Sequence, residues 1–526
     1  MPEMHQNIAV GTRLRAVACL ITALLALALS ACAFNNQPEV LVDDWQRLSI
    51  MGTPAGYIHT VSKLRDAARP VIVTHVFSHT RINRMGEALN IRMEVEYLED
   101  AETGALMQVY SKTQMADIPT ECRAIARGDK LHVQTTVAGR TSKKELPYDD
   151  ELIGPQEIIR RTREQALKPG GHLDFKTFVP DMARIARSRL HIVGQERIRL
   201  GATEDEEADG EKLEAPAKEE ETEPNRDEEG ELLWHGTLTQ DVLPMVTTRV
   251  WIDDNGEVAK SVMNVIGGIV VERTTQVRAL QAVAPSQTAD LFERFFVTVN
   301  REIPNPYETT EAVYRIEAPE AILNKLTLED RRQTVLEREE GGVLLRVRAL
   351  TDAEEPAEAA PDEKYLVATP YVQSDDDAIE KAASEAVEGV DGLEPRALKL
   401  REWVYKNVRL KDMSVGFASA KEVLLSRRGD CTEHAVLLAA LLRAQGIPAR
   451  VAVGLVYYQG KFGYHMWTEA FLNDWRALDA ALNQETVDAT HIKLLDSALE
   501  EGSANAAFVN LVGLIGKMEI TIEEIN

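Results

Sequence analysis

The chain has 526 residues, 44% hydrophobic and 27% charged, and carries a formal net charge of −26. That length exceeds one compact core and predicts two or three domains, and the acidity argues against nucleic acid as a partner, because phosphate binding needs clustered Lys and Arg. Much of the charge is local: from Glu204 to Glu231 there are 15 acidic residues against Lys212, Lys218 and Arg226, a net 12 of the 26.

The N-terminus carries an address. Arg13 and Arg15 precede an apolar run from Ala16 to Leu29 that ends in Ser30-Ala31-Cys32, the pattern of a secretory signal over residues 1–31 and too short to span a membrane as a mature helix. Leu29-Ser30-Ala31-Cys32 resembles the bacterial lipobox, which implies that Cys32 is lipidated and anchors an exported chain to a membrane of the cell envelope. Of the 4 cysteines, Cys19 would be lost with the signal and Cys32 acylated, so Cys122 and Cys431 alone remain and no disulfide framework is expected. Cys122 reads as a structural thiol. Residues 32–45 read as a polar tether.

Residues 46–290 are predicted to form a β-rich domain. Asn90 to Tyr97, Lys130 to Val137 and Thr247 to Ile252 alternate with period two. Asp253-Asp254-Asn255-Gly256 is a hairpin turn signal, and Pro155 to Leu167 has a helical pattern. The Glu-rich, aromatic-free segment 203–231 cannot bury enough apolar surface to order itself and is expected to be a disordered insertion. A second strand-rich stretch opens with Phe295 to Val299 and Val313 to Ile316, giving a small β module over 291–350. An Ala/Glu/Asp/Pro-rich linker follows over 351–363.

The last domain, 364–526, reads as helices followed by strands. Helices are predicted from Ala378 to Val387, from Pro395 to about Val408, and from a Ser419/Glu422 capping box to Arg427. Asp430 and Glu433 form another capping box, which starts a helix whose inner residues, Val436 to Leu442, are apolar all round, as in a buried core helix. Gly446 and Pro448 stop it. Strands follow over Ala449 to Tyr458, Tyr464 to Leu472 and Trp475 to Ala480. The fold class is α+β, with a central helix packed on an antiparallel sheet and a large antiparallel β-rich region in front of it.

Cys431 falls at the first position of the buried helix, where free N–H groups and the helix dipole favour the thiolate. A nucleophilic thiol needs a base, and His465 and Asp479 lie on the two strands of the following hairpin. A three-residue loop, Leu472-Asn473-Asp474, would set Trp467 opposite Asp479 and make His465 its diagonal neighbour, about 7–8 Å away at the backbone; a two-residue loop would set them on opposite faces. In the first geometry Cys431 attacks a carbonyl, His465 moves the proton, Asp479 orients the imidazole, and N–H groups at the helix start stabilise the oxyanion.

Gly429-Asp430-Cys431-Thr432-Glu433-His434, the exit Gly446-Ile447-Pro448-Ala449-Arg450, His465-Met466-Trp467-Thr468-Glu469, and Trp475 with Asp479 together resemble the transglutaminase-like superfamily over about residues 365–485. The resemblance implies a papain-like core and carries the family's catalytic Cys, His and Asp onto Cys431, His465 and Asp479. Ala480 stands where the family often has Pro, and no side-chain oxyanion donor is identified upstream of Cys431.

The expectation is therefore a cysteine-dependent acyl-transfer enzyme acting on peptide or protein amide bonds through a thioester. It needs no cofactor and no metal. Hydrolysis is favoured over amine cross-linking, because no calcium-site pattern of clustered carboxylates appears in the last domain. The alternative is a non-catalytic binding or scaffold lipoprotein that keeps the fold. Tyr464, Trp467 and His434 are candidate cleft-lining residues. Zinc on Cys431, His434, His465 and Asp479 is disfavoured for want of a second Cys or His pair. His491 is left as structural.

Overall fold

The computed structural model describes residues 38–526 apart from 66–68, 85–86, 116, 118, 202–229, 244–245, 266–267, 285–295, 351–360, 410–415 and 501–515. The expected signal, Cys32, nearly all of the acidic insertion and most of the linker lie outside the described residues.

The N-terminal region forms one antiparallel sheet of 14 strands, from β1 (Glu39–Ile50) to β14 (Ile269–Arg273). β1 pairs with β14, so the sheet consists of two meanders joined at their ends. Strand alternation drives it: in β10 (Arg184–Ile198) Ala186, Ser188, Leu190 and Ile192 are buried while Arg187, Arg189 and His191 face out. The sheet curls until its far ends meet. Leu152 bridges Lys176, Ile153 bridges Ala105, and Phe178 packs on Val95, Val109 and Leu131. Helix α1 (Pro155–Arg161) continues as a π turn over Thr162–Ala166 and packs on the sheet, where Gln156 Nε2 donates to Ser62 Oγ at 2.9 Å. The expected tether is shorter than predicted. Residues 39–45 already belong to β1, where Trp45 pairs with His59 and stacks on its ring at 3.9 Å; the polar side chains that suggested a linker belong to a strand paired along this stretch with β2 (Thr53–Arg65).

Two short helices follow, α2 (Gln276–Gln281) and α3 (Glu320–Leu323). The last helices are α4 (Asp377–Ala386), α5 (Leu393–Asn407), α6 (Ala420–Ser426) and α7 (Cys431–Ala444). They surround α7, whose residues from Glu433 to Arg443 are all buried. Against α7 lie β19 (Ala449–Tyr458) and β20 (Lys461–Phe471), the latter held by a Thr468 Oγ1 hydrogen bond to Ala435 O at 3.0 Å. Gly454 in β19 has a packing reason: a Cβ there would stand 2.0 Å from Ile492 O and 2.9 Å from the Trp467 ring.

The small module and this core exchange strands. β15 (Phe296–Thr298) pairs with β20 in the sheet that lies against α7, next to β19 and β22 (His491–Ser497). The C-terminal β23 (Glu519–Ile525) in turn joins the module's sheet of β16 (Glu311–Glu317), β17 (Gln333–Glu339) and β18 (Gly342–Arg348). A shared core of Tyr314, Ile316, Leu345, Leu455, Phe462 and Ile492 fills the space between. The 14-stranded sheet docks on the helical side at three points: Arg140 pairs with Asp375, Gly416 N–H donates to Met115 O at 3.0 Å, and the Tyr371 hydroxyl meets Thr120.

Candidate active site

The nucleophile's position is set by the start of α7. Asp430 is extended and its carboxylate accepts from Thr432 N–H, while Glu433 reaches back to Asp430 N–H at 2.9 Å. Gly429 makes room for that return: its φ is +148°, and a Cβ would stand 2.2 Å from Glu433 Cβ. The second Glu433 oxygen accepts from Ala418 N–H at 3.1 Å, tying the preceding loop to the helix start. Burial, followed by the adjacent Asp430, raises the Glu433 carboxyl well above its ordinary range. The capping pattern occupies the N–H groups of Thr432 and Glu433 and leaves that of Cys431, the first in the helix. Cys431 is half-buried with a free thiol.

The hairpin has the three-residue loop. Phe471 pairs with Trp475, Ala470 with Arg476 and Thr468 with Leu478, and Asn473 in the loop takes φ +74°. Asp479 therefore follows opposite Trp467, diagonal to His465. Its Oδ2 accepts from His465 Nε2 at 2.6 Å. Oδ1 accepts from the N–H groups of Ala481 and Leu482 at 2.7 and 2.9 Å. With Nε2 engaged, Nδ1 of His465 is the nitrogen left for its hydrogen bond to Cys431. Burial disfavours a charged imidazole here, but the charges of Asp479 and then Cys431 outweigh it and hold His465 at about 10. Asp479 is buried too, and His465 and His491 keep it well below the usual carboxylate range.

The remaining sequence candidates fall elsewhere. Tyr464, expected to line the cleft, is one residue from His465 and so points to the other side of β20, into the core shared with the small module. Trp467 is buried behind His465, ring centroids 6.3 Å apart and 23° from parallel. His434 is buried, its Nδ1 donating to Asp430 O at 2.6 Å. It braces the helix start and is no wall of a cleft. Cys122 packs in the core of the large sheet.

His491, read as structural, is the residue that sequence reasoning missed. Its Nε2 lies 3.2 Å from the same Asp479 oxygen that His465 engages, and its Nδ1 lies 3.3 Å from Asp488 Oδ1. His465, Asp479 and His491 also bring three potential metal-ligand atoms, two imidazole and one carboxylate, within 4.8 Å of one another. Asp479 Oδ2 already accepts from both rings, so a bound cation would have to break the His465 contact.

Residues 380–480 match the family model of the transglutaminase-like superfamily. No curated protein matches the chain. Among solved structures it is similar to a cysteine-protease candidate from Cytophaga hutchinsonii, at 18% identity over 41% of this chain and 86% of that one, TM-score 0.28. It is similar to a beta-barrel-like protein of a domain of unknown function from Brucella abortus, at 11% identity over 44% of this chain and 95% of that one, TM-score 0.29. A protease candidate from Parabacteroides distasonis gives 11% identity over 69% and 64%, TM-score 0.17. These last likenesses carry no conclusion about chemistry. The family match coincides with the segment that supplies Cys431, His465 and Asp479: residues 380–480 form a transglutaminase-like domain, which supports a cysteine-type enzyme at the level of the family.

Proposed function

We propose that the protein is an exported, lipid-anchored cysteine enzyme that transfers acyl groups from peptide or protein amides through Cys431, His465 and Asp479. The observation that carries this reading is the line of contacts from a half-buried thiol at a helix start, through His465, to an Asp479 carboxylate 2.6 Å away. The Cys431 sulfur attacks the amide carbon, and the oxyanion is met by the Cys431 N–H left out of the capping pattern. His465 gives its proton to the departing amine, and a thioester remains on Cys431. Water or a second amine then attacks the thioester, His465 takes the incoming proton, and the thiol is restored.

Water is the favoured acceptor, on the ground that the last domain lacks a clustered-carboxylate calcium pattern in its sequence. The papain-like comparison, the peptide substrate and the envelope location with Cys32 as the lipid site belong to this proposal. They are supported by the motif spelling around Cys431 and by the Leu29 to Cys32 sequence. The test is to incubate the protein with a peptide library, with and without a labelled primary amine, and to read the products by mass spectrometry. Cleaved amides without amine incorporation are expected. Products unchanged by Cys431→Ala would refute the reading.

A further inference from the structure

We infer that His491 is a positioning residue for this site: clamped between Asp488 and Asp479, it holds the Asp479 carboxylate in place and compensates its charge when His465 gives up its proton. The inference rests on the proposed function, since it assigns a partner to that triad.

The geometry defines the chemistry. A carboxylate only accepts hydrogen bonds. Both ring nitrogens of His491 face carboxylate oxygens, Nε2 at 3.2 Å from Asp479 Oδ2 and Nδ1 at 3.3 Å from Asp488 Oδ1. Both contacts can be hydrogen bonds only when both nitrogens carry hydrogen, that is, when the ring is a cation. Burial opposes that charge, and the hydrogen bonds to Asp479 and Asp488 overcome it, raising His491 above its ordinary value. The other charged or titratable groups about this segment are His465, Arg332, Tyr314 and Tyr307. Asp488, His491, Asp479 and His465 then form a line of alternating charge in the resting state. When His465 loses its proton to a leaving amine, Asp479 keeps one cation beside it, and that cation is His491.

His491 is itself fixed from outside the hairpin. Arg332 of the small module donates to Asp488 O at 2.8 Å and to His491 O at 3.4 Å. Tyr314 OH donates to Ala489 O at 3.0 Å, and Ala489 N–H donates to Thr309 O at 2.9 Å. Asp488 is held by Thr490 N–H at 2.7 Å and by Gln484 Nε2 at 2.7 Å. Trp467 meets the His491 ring edge to face at 5.4 Å, so the ring cannot swing away from Asp479. The small module thus supports the rear of the site.

The experiment follows the imidazole titration of His465 by NMR on the histidine-labelled full chain, together with the rate of Cys431 alkylation by iodoacetamide at pH 7. The variants are His491→Phe, His491→Gln and Asp488→Asn, with His465→Ala as reference. In the native chain His465 is expected to titrate near 10. His491→Phe is expected to raise that midpoint by about one unit, because a neutral His465 would then leave Asp479 without a cation beside it, while Cys431 alkylation at pH 7 stays within about twofold of native, His465 being protonated there in both chains. His491→Gln, which keeps a donor toward Asp479 without the charge, should fall between, and Asp488→Asn should raise the midpoint by less. Folding is checked by near-UV circular dichroism; where the Phe variant does not fold, the Gln and Asn variants carry the test. A native His465 midpoint in the folded variants would overturn the role of His491. A native His465 that titrates near 6.5, with alkylation indifferent to His465→Ala, would instead overturn the proposed function.

Discussion

Two equally buried carboxylates, one in each half of the molecule, have opposite fates. Glu99 in the large sheet is 1% exposed and Asp479 in the catalytic unit is 0% exposed. Glu99 meets the backbone N–H groups of Gln156, at 3.2 Å, and Glu157 and, among the described residues, no paired cation, and burial pushes it up to about 8. At neutral pH it is mostly the neutral acid. Asp479 faces two histidines as well as two backbone N–H groups and stays ionised. At Glu99 backbone N–H groups do not offset burial, whereas at Asp479 two adjacent histidines are added to them and the charge is kept. Keeping a buried ion is costly, and the transglutaminase-like domain meets that cost where His465 is oriented.

Asp479→Asn attacks this contrast hardest. The amide removes the charge beside His465 while nearly keeping the shape, and turnover on a responsive peptide should fall by about 10³- to 10⁴-fold. Glu99→Gln is the matching change in the sheet, and urea denaturation at pH 7 should place it within about 1 kcal/mol of the native chain, because the group is already mostly uncharged there. Arg332→Met should cost about 3 kcal/mol by the same measurement, since it strips two carbonyls of the 488–491 segment of their donor.

The pH dependence of thermal stability separates the two carboxylates' surroundings. Glu99 and His465 both bind protons more tightly in the folded state, so each contribution is full below the unfolded value and lost as pH rises through the folded one. For Glu99 that window runs from 4.5 to about 8, and for His465 from 6.5 to about 10. Glu99→Gln should flatten the Tm profile in the lower window only, and His465→Ala in the upper one. The smallest effect is expected at the surface between the two halves. Arg140 and Asp375 are 38% and 54% exposed, and Arg140→Ala should change stability by no more than about 1 kcal/mol.

The sequence made the front of the site legible because its constraints are local. The Asp430 and Glu433 pair marks the helix start, and the spacing of Phe471 and Trp475 around three loop residues fixes the register that brings His465 to Asp479. The rear of the site depends on chain-distant contacts. His491 lies beyond the non-strand segment 479–490, and its orienting partners Arg332 and Tyr314 come from the small module more than 150 positions earlier. No periodicity or cap announces such a contact. The exchange of β15 and β23 was hidden for the same reason, since a strand's pattern says that it will pair but not with what. Tyr464 failed as a cleft residue on a point the sequence did contain: it is an immediate neighbour of His465 on a strand, and neighbours face apart.

The most direct measurement is to trap the acyl intermediate. The intact chain is mixed with the peptide library, quenched in acid within a turnover, digested, and the peptide carrying Cys431 is weighed by mass spectrometry. A thioester adduct on Cys431 in the native chain, absent from His465→Ala, is the expected result. An unmodified Cys431 in the native chain, under conditions where the amide substrates are consumed, would contradict the account.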